Sequence, residues 1–185
     1  MTGPTDGERQ SAVIVRAWLL GWAAAVAEQR TWLTDLDAAI GDGDLGVTVG
    51  DGSLAAAAAL SAVPPDATPA VVLRTVGMTL ARANPSTFSA LAMGALVAAA
   101  KDLGDEADVG FDAGLRAARA AADSIATRGK SAVGDKTVLD ALVPSLDAAA
   151  AAPDVKLEIG QTVHAALTPG RVHLFDRELG GRIIH

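Results

Sequence analysis

Asp35, Asp37, Asp42 and Asp44 fall within ten positions of one another in the stretch Thr34 to Gly52, TDLDAAIGDGDLGVTVGDG, and Gly41, Gly43 and Gly46 separate the later ones. Carboxylates packed this closely repel one another. A folded chain holds them either well solvated or gathered around a cation. Hard oxygen ligands suit Mg²⁺ or Ca²⁺ better than zinc. Asp37 and Asp42 are five apart, so an unbroken helix would set them roughly 140° from each other, too far round to share an ion. Gly41 and Gly43 allow the chain to leave a helix and curl, which would turn Asp42 and Asp44 back toward Asp37. An EF-hand loop does not fit. From Asp42 the fifth position is Gly46 and the twelfth Ser53, and from Asp35 the fifth is Ala39, so ligands are missing in both registers.

Two further segments have residue types that meet anions. Asn84-Pro85-Ser86-Thr87 breaks the chain before a helix-forming run, placing the hydroxyls of Ser86, Thr87 and Ser89 where free amides and a positive helix end are available. The same turn is also an ordinary helix cap. Arg128-Gly129-Lys130-Ser131 and Gly134-Asp135-Lys136-Thr137 form a basic, glycine-rich segment whose lysines and free amides could hold phosphate, or simply make a basic surface loop. Neither matches G-x-x-x-x-G-K-[ST]. Other chemistries find less support. The three histidines, His164, His173 and His185, lie far from any glycine-flanked serine, and a chain with 3% aromatic residues is poorly equipped for a sugar-binding groove. Three carboxylates with two Mg²⁺ leave a net charge of about +1, well matched to a polyanionic nucleotide tail. Phosphoryl transfer needs positioning and charge neutralisation more than a nucleophilic side chain.

The elements that must position these residues read as helices. The chain has 185 residues, half of them apolar, with no cysteine, which excludes disulfides and thiolate sites. A core of Ala, Leu and Val needs closely approaching helices and favours an all-α domain spanning residues 1–185. The net charge of −7 argues against nucleic acid or an anionic membrane as partner. The polar N-terminus does not resemble a signal peptide. The longest uncharged run, Ala83 to Ala100, is slightly short for a span and is interrupted by Asn84 and Pro85. A soluble cytoplasmic protein is expected.

Helical periodicity predicts a first helix over Gln10–Arg30, with Val13, Ile14, Ala17, Trp18, Leu20 and Ala24 inward and Arg16, Glu28 and Arg30 outward. A shorter piece from Thr31 runs into Gly41. Helices follow over Ser53–Val63, from Thr68-Pro69 through Leu80, over Thr87–Leu103 and over Phe111–Thr127. A further helix follows Thr137, and a last one covers about Val155–Leu167 before an irregular tail.

Leu36-Asp37-Ala38-Ala39-Ile40-Gly41-Asp42-Gly43-Asp44-Leu45-Gly46, then Val76-Gly77-Met78-Thr79-Leu80, then Arg128-Gly129-Lys130 with Gly134-Asp135-Lys136-Thr137 resemble in order and spacing the nucleotide-binding L subunit (DhaL, Dak2 domain) of dihydroxyacetone kinases. The likeness runs from the first helix to about Asp147. It implies a barrel of antiparallel amphipathic helices binding ADP or ATP at one end through two Mg²⁺ held by Asp37, Asp42 and Asp44, with Asp35 and Asp51 as solvated charges. By position, Leu45, Gly46, Thr48, Ser86, Thr87, Ser89, Gly129, Thr137, Val138 and Arg171 would lie on the nucleotide side. In this family the phosphate comes from a phosphohistidine protein of the sugar phosphotransferase system, or from free ATP. It passes to a short-chain ketose held on a K subunit, and the absence of a fused ketose-binding half is the pattern of the separate L subunit.

The chain departs from that pattern in places. Leu45 and Thr48 stand where the family has histidine and asparagine, and Val138 stands where a methionine lines the base. Ala83 to Ser89 replaces a glycine-serine loop. Gly170-Arg171-Val172 matches a late contact, but the closing Asp-Pro-Gly turn and final helix are not present. A barrel without that helix would expose an apolar stripe to a partner or to a second copy in a homodimer. Two other readings accompany the kinase subunit: a non-catalytic nucleotide- and metal-binding regulator, and the equivalent subunit of a four-carbon sugar kinase.

Overall fold

The structure, a computed structural model, describes residues 6–39 and 41–151, together with the pairs 174–175 and 182–183. Residues 6–151 fold as seven helices: α1 (Asp6–Glu28), α2 (Arg30–Ala38), α3 (Leu45–Ala62), α4 (Pro69–Ala83), α5 (Thr87–Leu103), α6 (Phe111–Gly129) and α7 (Leu139–Ala151). The all-α expectation holds for this part of the chain. The chain divides into two compact units, residues 1–153 and 154–185. In the second, β1 (Leu174–Phe175) and β2 (Arg182–Ile183) form a minimal antiparallel ladder, Leu174 opposite Ile183. Arg171 and the helix expected over Val155–Leu167 lie outside the described residues.

Local chemistry sets the helix boundaries. Thr68 caps α4 by accepting from the Val71 amide at 3.4 Å, with Pro69 in the first turn. Ser86 and Ser89 form a reciprocal capping box at α5: the Ser89 amide donates to Ser86 Oγ at 3.1 Å and the Ser86 amide to Ser89 Oγ at 2.8 Å. Successive helices from α2 to α7 pack on their sequence neighbours through short connections, the signature of up-and-down topology. The α2–α3, α4–α5 and α6–α7 turns therefore share one end of the bundle. The α3–α4 and α5–α6 connections share the other.

The core is built from small residues and close crossings. One cluster joins Leu19 of α1 to Ala56 and Leu60 of α3 and to Val72, Val76 and Leu80 of α4. Another joins Ala70 to Ala99, Ala100 and Leu103 of α5 and to Ala113 and Ala117 of α6. A Cβ added to Gly77 would lie 3.1 Å from Leu96 Cβ, and one added to Gly52 would lie 2.9 Å from Leu80 Cδ2. Glycine thus lets α4 approach both neighbours closely.

Two expectations are corrected. First, α3 begins at Leu45, not Ser53, because Gly46, Gly50 and Gly52 lie on its buried face. They act there as close-packing residues within a helix. Second, α1 is turned over. Ala12, Leu19 and Ala23 are buried, whereas Val13, Ile14, Trp18 and Leu20 are exposed, Trp18 by 66%. Arg16, expected outside, is half-buried and donates to the carbonyls of Leu60 (3.1 Å), Val63 (3.1 Å) and Pro64 (2.9 Å). Leu60 lies in the last turn of α3, Val63 is its C-cap and Pro64 follows, so the guanidinium satisfies carbonyls where the helix ends. Arg30 is also half-buried. Because α1 is apolar around most of its circumference, periodicity alone does not choose its inner face.

By length and composition α3 could cross a membrane, and α1 with α2 passes the same test only as a pair bent by 59°. The position of α3 against α1, α2, α4 and α5 is that of a core helix.

Candidate metal centre and nucleotide end

Asp37, Asp42 and Asp44 come together as the glycine spacing suggests. One carboxylate oxygen from each lies within 4.8 Å of the others. Asp37 sits in the last turn of α2, Asp44 stands at the N-cap position of α3 without a side-chain cap bond, and Asp42 lies on the turn between them. The turn closes through the Gly41 amide, which donates to Asp37 O at 2.6 Å, and through Gly43, whose φ of +75° suits glycine. The Leu45 amide donates to Asp37 Oδ2 at 3.3 Å, so Asp37 meets the positive end of α3.

Packing between α2 and α3 holds this corner rigidly. A Cβ on Gly46 would overlap the Arg30 carbonyl oxygen and Thr34 Oγ1. The Arg30 guanidinium pairs with Asp51 at 3.0 Å, and Asp51 remains exposed to solvent. Asp35 is exposed on α2.

The trio is electrostatically frustrated. Asp44 has its pKa raised, first by the charge of Asp42, then by desolvation, the charge of Asp37 and a hydrogen bond with Asp42. Among the described residues no ion pair reaches any of the three. Three convergent hard-oxygen donors without a counter-charge fit a divalent cation such as Mg²⁺.

The other expected residues within the described part lie on three segments. Leu45 is half-buried beside the trio, while Gly46 and Thr48 face the interior. Thr48 is only 3% exposed, and its Oγ1 has no hydrogen-bond partner among the described residues. Ser86 and Ser89 spend their hydroxyls on the capping box, and Ser89 is buried, whereas Thr87 is exposed. Gly129 and Val138 are exposed and Thr137 is half-buried. A Cβ on Gly129 would lie 3.9 Å from the Leu91 side chain, so the end of α6 rests on the second turn of α5.

In the basic loop several of the expected free amides are occupied. The amides of Gly134 and Thr137 donate to Asp140 at 2.7 and 2.8 Å, and that of Ala132 donates to Asp135 at 2.9 Å. Asp140 is not among the residues expected from the sequence. Its place at the second position of α7, three residues after Thr137, is a helix-start signal that could have found it.

Three aspartates thus converge at one end of an up-and-down helical domain, the end that by its topology also carries the capped serine turn and the basic loop, and such a trio could hold a divalent cation. Residues 39–172 match the DAK2 domain family, and the chain belongs to that family. It is 34% identical over 153 residues to L-erythrulose 1-kinase of Mycolicibacterium smegmatis, covering 82% of this chain and 27% of that protein. It is 32% identical over 132 residues to the ADP-binding subunit DhaL of the PEP-dependent dihydroxyacetone kinase 1 of Listeria innocua, covering 71% and 65%. The dihydroxyacetone kinase of C. freundii in complex with AMP-PNP and Mg²⁺ superposes with a TM-score of 0.63 at 26% identity, over 83% of this chain and 27% of that one. The chain thus spans about a quarter of the length of the M. smegmatis kinase it matches.

Proposed function

We propose that this domain binds ADP or ATP with Mg²⁺ as the nucleotide-binding part of a kinase for dihydroxyacetone or a four-carbon ketose such as erythrulose. The observation that carries this reading is the convergence of Asp37, Asp42 and Asp44 without a counter-charge. The kinase names of the relatives and the AMP-PNP and Mg²⁺ complex of a structural neighbour support it. Asp37, Asp42 and Asp44 would hold up to two Mg²⁺, which when bound supply charge neutralisation for phosphoryl transfer. The chain's own part is to fix the three carboxylates on a rigid α2–α3 corner and to present Thr87, Thr137 and the cations of the 128–136 segment at the same end. In this reading a K-type subunit holds the ketose, and a phosphohistidine protein of the phosphotransferase system, or ATP, supplies the phosphate.

Isothermal titration of ADP with Mg²⁺ into the wild type and Asp42→Ala tests it. Binding is expected in the wild type alone, and equal heats from the two proteins would refute the assignment.

A second reading has its own support: Thr48 is buried and Ser86 and Ser89 are committed to a cap, so hydroxyls expected to meet the nucleotide are turned to structure. A binding regulator would hold metal and partner without transferring phosphate. Reconstitution with a K-type subunit and a phosphoryl donor separates the two, since only the kinase subunit yields ketose phosphate.

A further inference from the structure

The basic loop contains a device that the metal centre does not explain. Lys130 and Lys136 both adopt left-handed backbone, with φ of 51° and 60°. A non-glycine residue there costs roughly 1 kcal/mol or more and persists only where surrounding bonds over-determine it. Around Lys136 those bonds come from one side chain. Asp140 Oδ1 accepts from the Gly134 amide at 2.7 Å, and Asp140 Oδ2 accepts from the Thr137 amide at 2.8 Å. Asp140 and Thr137 are further tied through the Asp140 amide to Thr137 O at 3.1 Å, and the Leu139 amide donates to Thr137 Oγ1 at 3.2 Å. Both oxygens of one carboxylate thus bracket the lysine from either side, in short charge-assisted bonds.

In a chain of net charge −7, Arg128 in the last turn of α6 and Lys130 and Lys136 in the α6–α7 loop make no ion pair among the described residues. The loop lies at the bundle end that also presents the aspartate trio. We infer that Asp140 is a positioning residue for an anionic ligand: it clamps residues 134–137 so that Lys136 is presented as a held cation at the bundle end that carries the aspartate trio, suited to the phosphates of a nucleoside diphosphate. This rests on the nucleotide-binding reading proposed above.

The test is a double-mutant cycle on the full chain, with ADP and Mg²⁺ titrated by calorimetry and Mn²⁺ alone titrated as a control. Asp140→Asn keeps the side-chain size but offers one carbonyl oxygen to two amides. It should lower ADP affinity about tenfold and leave Mn²⁺ affinity within about twofold, because the aspartate trio is untouched. Lys136→Gly accepts the left-handed backbone without strain and removes the ammonium, and it should weaken ADP by a similar factor. Combined, the two should lose little more than either alone, since a lysine that is no longer held has little left to lose. Additive losses would overturn the positioning role, as would wild-type ADP affinity in either single variant or a fall in Mn²⁺ binding that parallels the fall in ADP binding. If Asp140→Asn fails to fold, Lys136→Gly decides alone, because unchanged ADP affinity there removes the role of the held cation. Wild type that binds Mn²⁺ but no ADP would refute the nucleotide reading and this inference together. Wild type that binds ADP, with Asp140→Asn binding as well, refutes this inference only.

Discussion

The turn between α2 and α3 and the loop between α6 and α7 are both short, glycine-containing and attended by aspartates, yet they treat these carboxylates in opposite ways. At the loop, Asp135 within it and Asp140 in the first turn of α7 each accept from its backbone amides, and the acids are consumed in building the turn. In the α2–α3 corner, Asp37 accepts one long bond from Leu45, and Asp42 and Asp44 face each other with the pKa of Asp44 raised. Satisfied acids make a scaffold. Unsatisfied acids, held together by packing elsewhere, make a site for a cation. Composition does not separate the two regions, but the source of their rigidity does: hydrogen bonds inside the loop, helix packing behind the corner.

The comparison breaks most completely where that packing is removed. Gly46→Ala places a methyl group on the Arg30 carbonyl oxygen and Thr34 Oγ1, with Thr34 N at 2.8 Å. Backbone atoms cannot step aside as a side-chain tip can, so a loss of about 3 kcal/mol is expected, read from denaturant unfolding, with Mn²⁺ affinity falling as α2 and α3 part. A neutral outcome would show that the corner does not depend on this contact. Gly43→Ala acts on the turn itself. With φ at +75° and Ala38 Cβ 3.2 Å from the new methyl group, about 1–2 kcal/mol is expected from the same measurement. Gly41→Val sharpens the contrast differently. Its Cβ would lie 2.5 Å from Asp37 Oδ1 and 3.1 Å from Asp37 O. The carboxylate can rotate away cheaply but the Asp37 carbonyl cannot, so a stability loss of about 1 kcal/mol is expected while Mn²⁺ affinity falls roughly tenfold. Unchanged metal affinity in that variant would show that Asp37 does not take part in the trio as drawn.

These residues also show what the sequence made legible. The helical class, the helix starts at Thr68 and Ser86 and the convergence of the three aspartates follow from local signals: caps, prolines and glycines at fixed offsets. The inner face of α1 does not, because the helix is apolar nearly all round. What turns Ala12, Leu19 and Ala23 inward is the bonding of Arg16 to the end of α3, forty-four and more residues away. The start of α3 was hidden for a related reason. Glycines after Asp44 read as turn residues when seen in sequence, and only the nearness of Arg30, Thr34 and Leu80 reveals them as packing residues. Likewise Asp140 lies in plain helix-start context, where its spacing discloses the bond from the Thr137 amide three residues back but not the second bond from the Gly134 amide, six back.

The smallest expected effect concerns pH, and its sign follows from the raised pKa of Asp44. A carboxyl that holds its proton more tightly in the folded than in the unfolded chain adds stability that is fully present at pH values below its unfolded pKa and is lost as pH rises through the folded value. In metal-free protein kept in chelator, the melting temperature of the wild type relative to Asp44→Asn should therefore decline from about pH 4 upward, where aspartates ordinarily titrate. Saturating Mg²⁺ should remove the decline, because the cation takes over the proton's task of relieving repulsion from Asp42 and Asp37. The matching control lies in the other region: Asp135, with its carboxylate already bonded to the Ala132 amide, should give a wild-type minus Asp135→Asn difference that Mg²⁺ does not alter. Parallel melting curves for wild type and Asp44→Asn across that range would mean that the three carboxylates are solvated well enough to ignore one another, and the distinction between scaffold acids and site acids would fall with them.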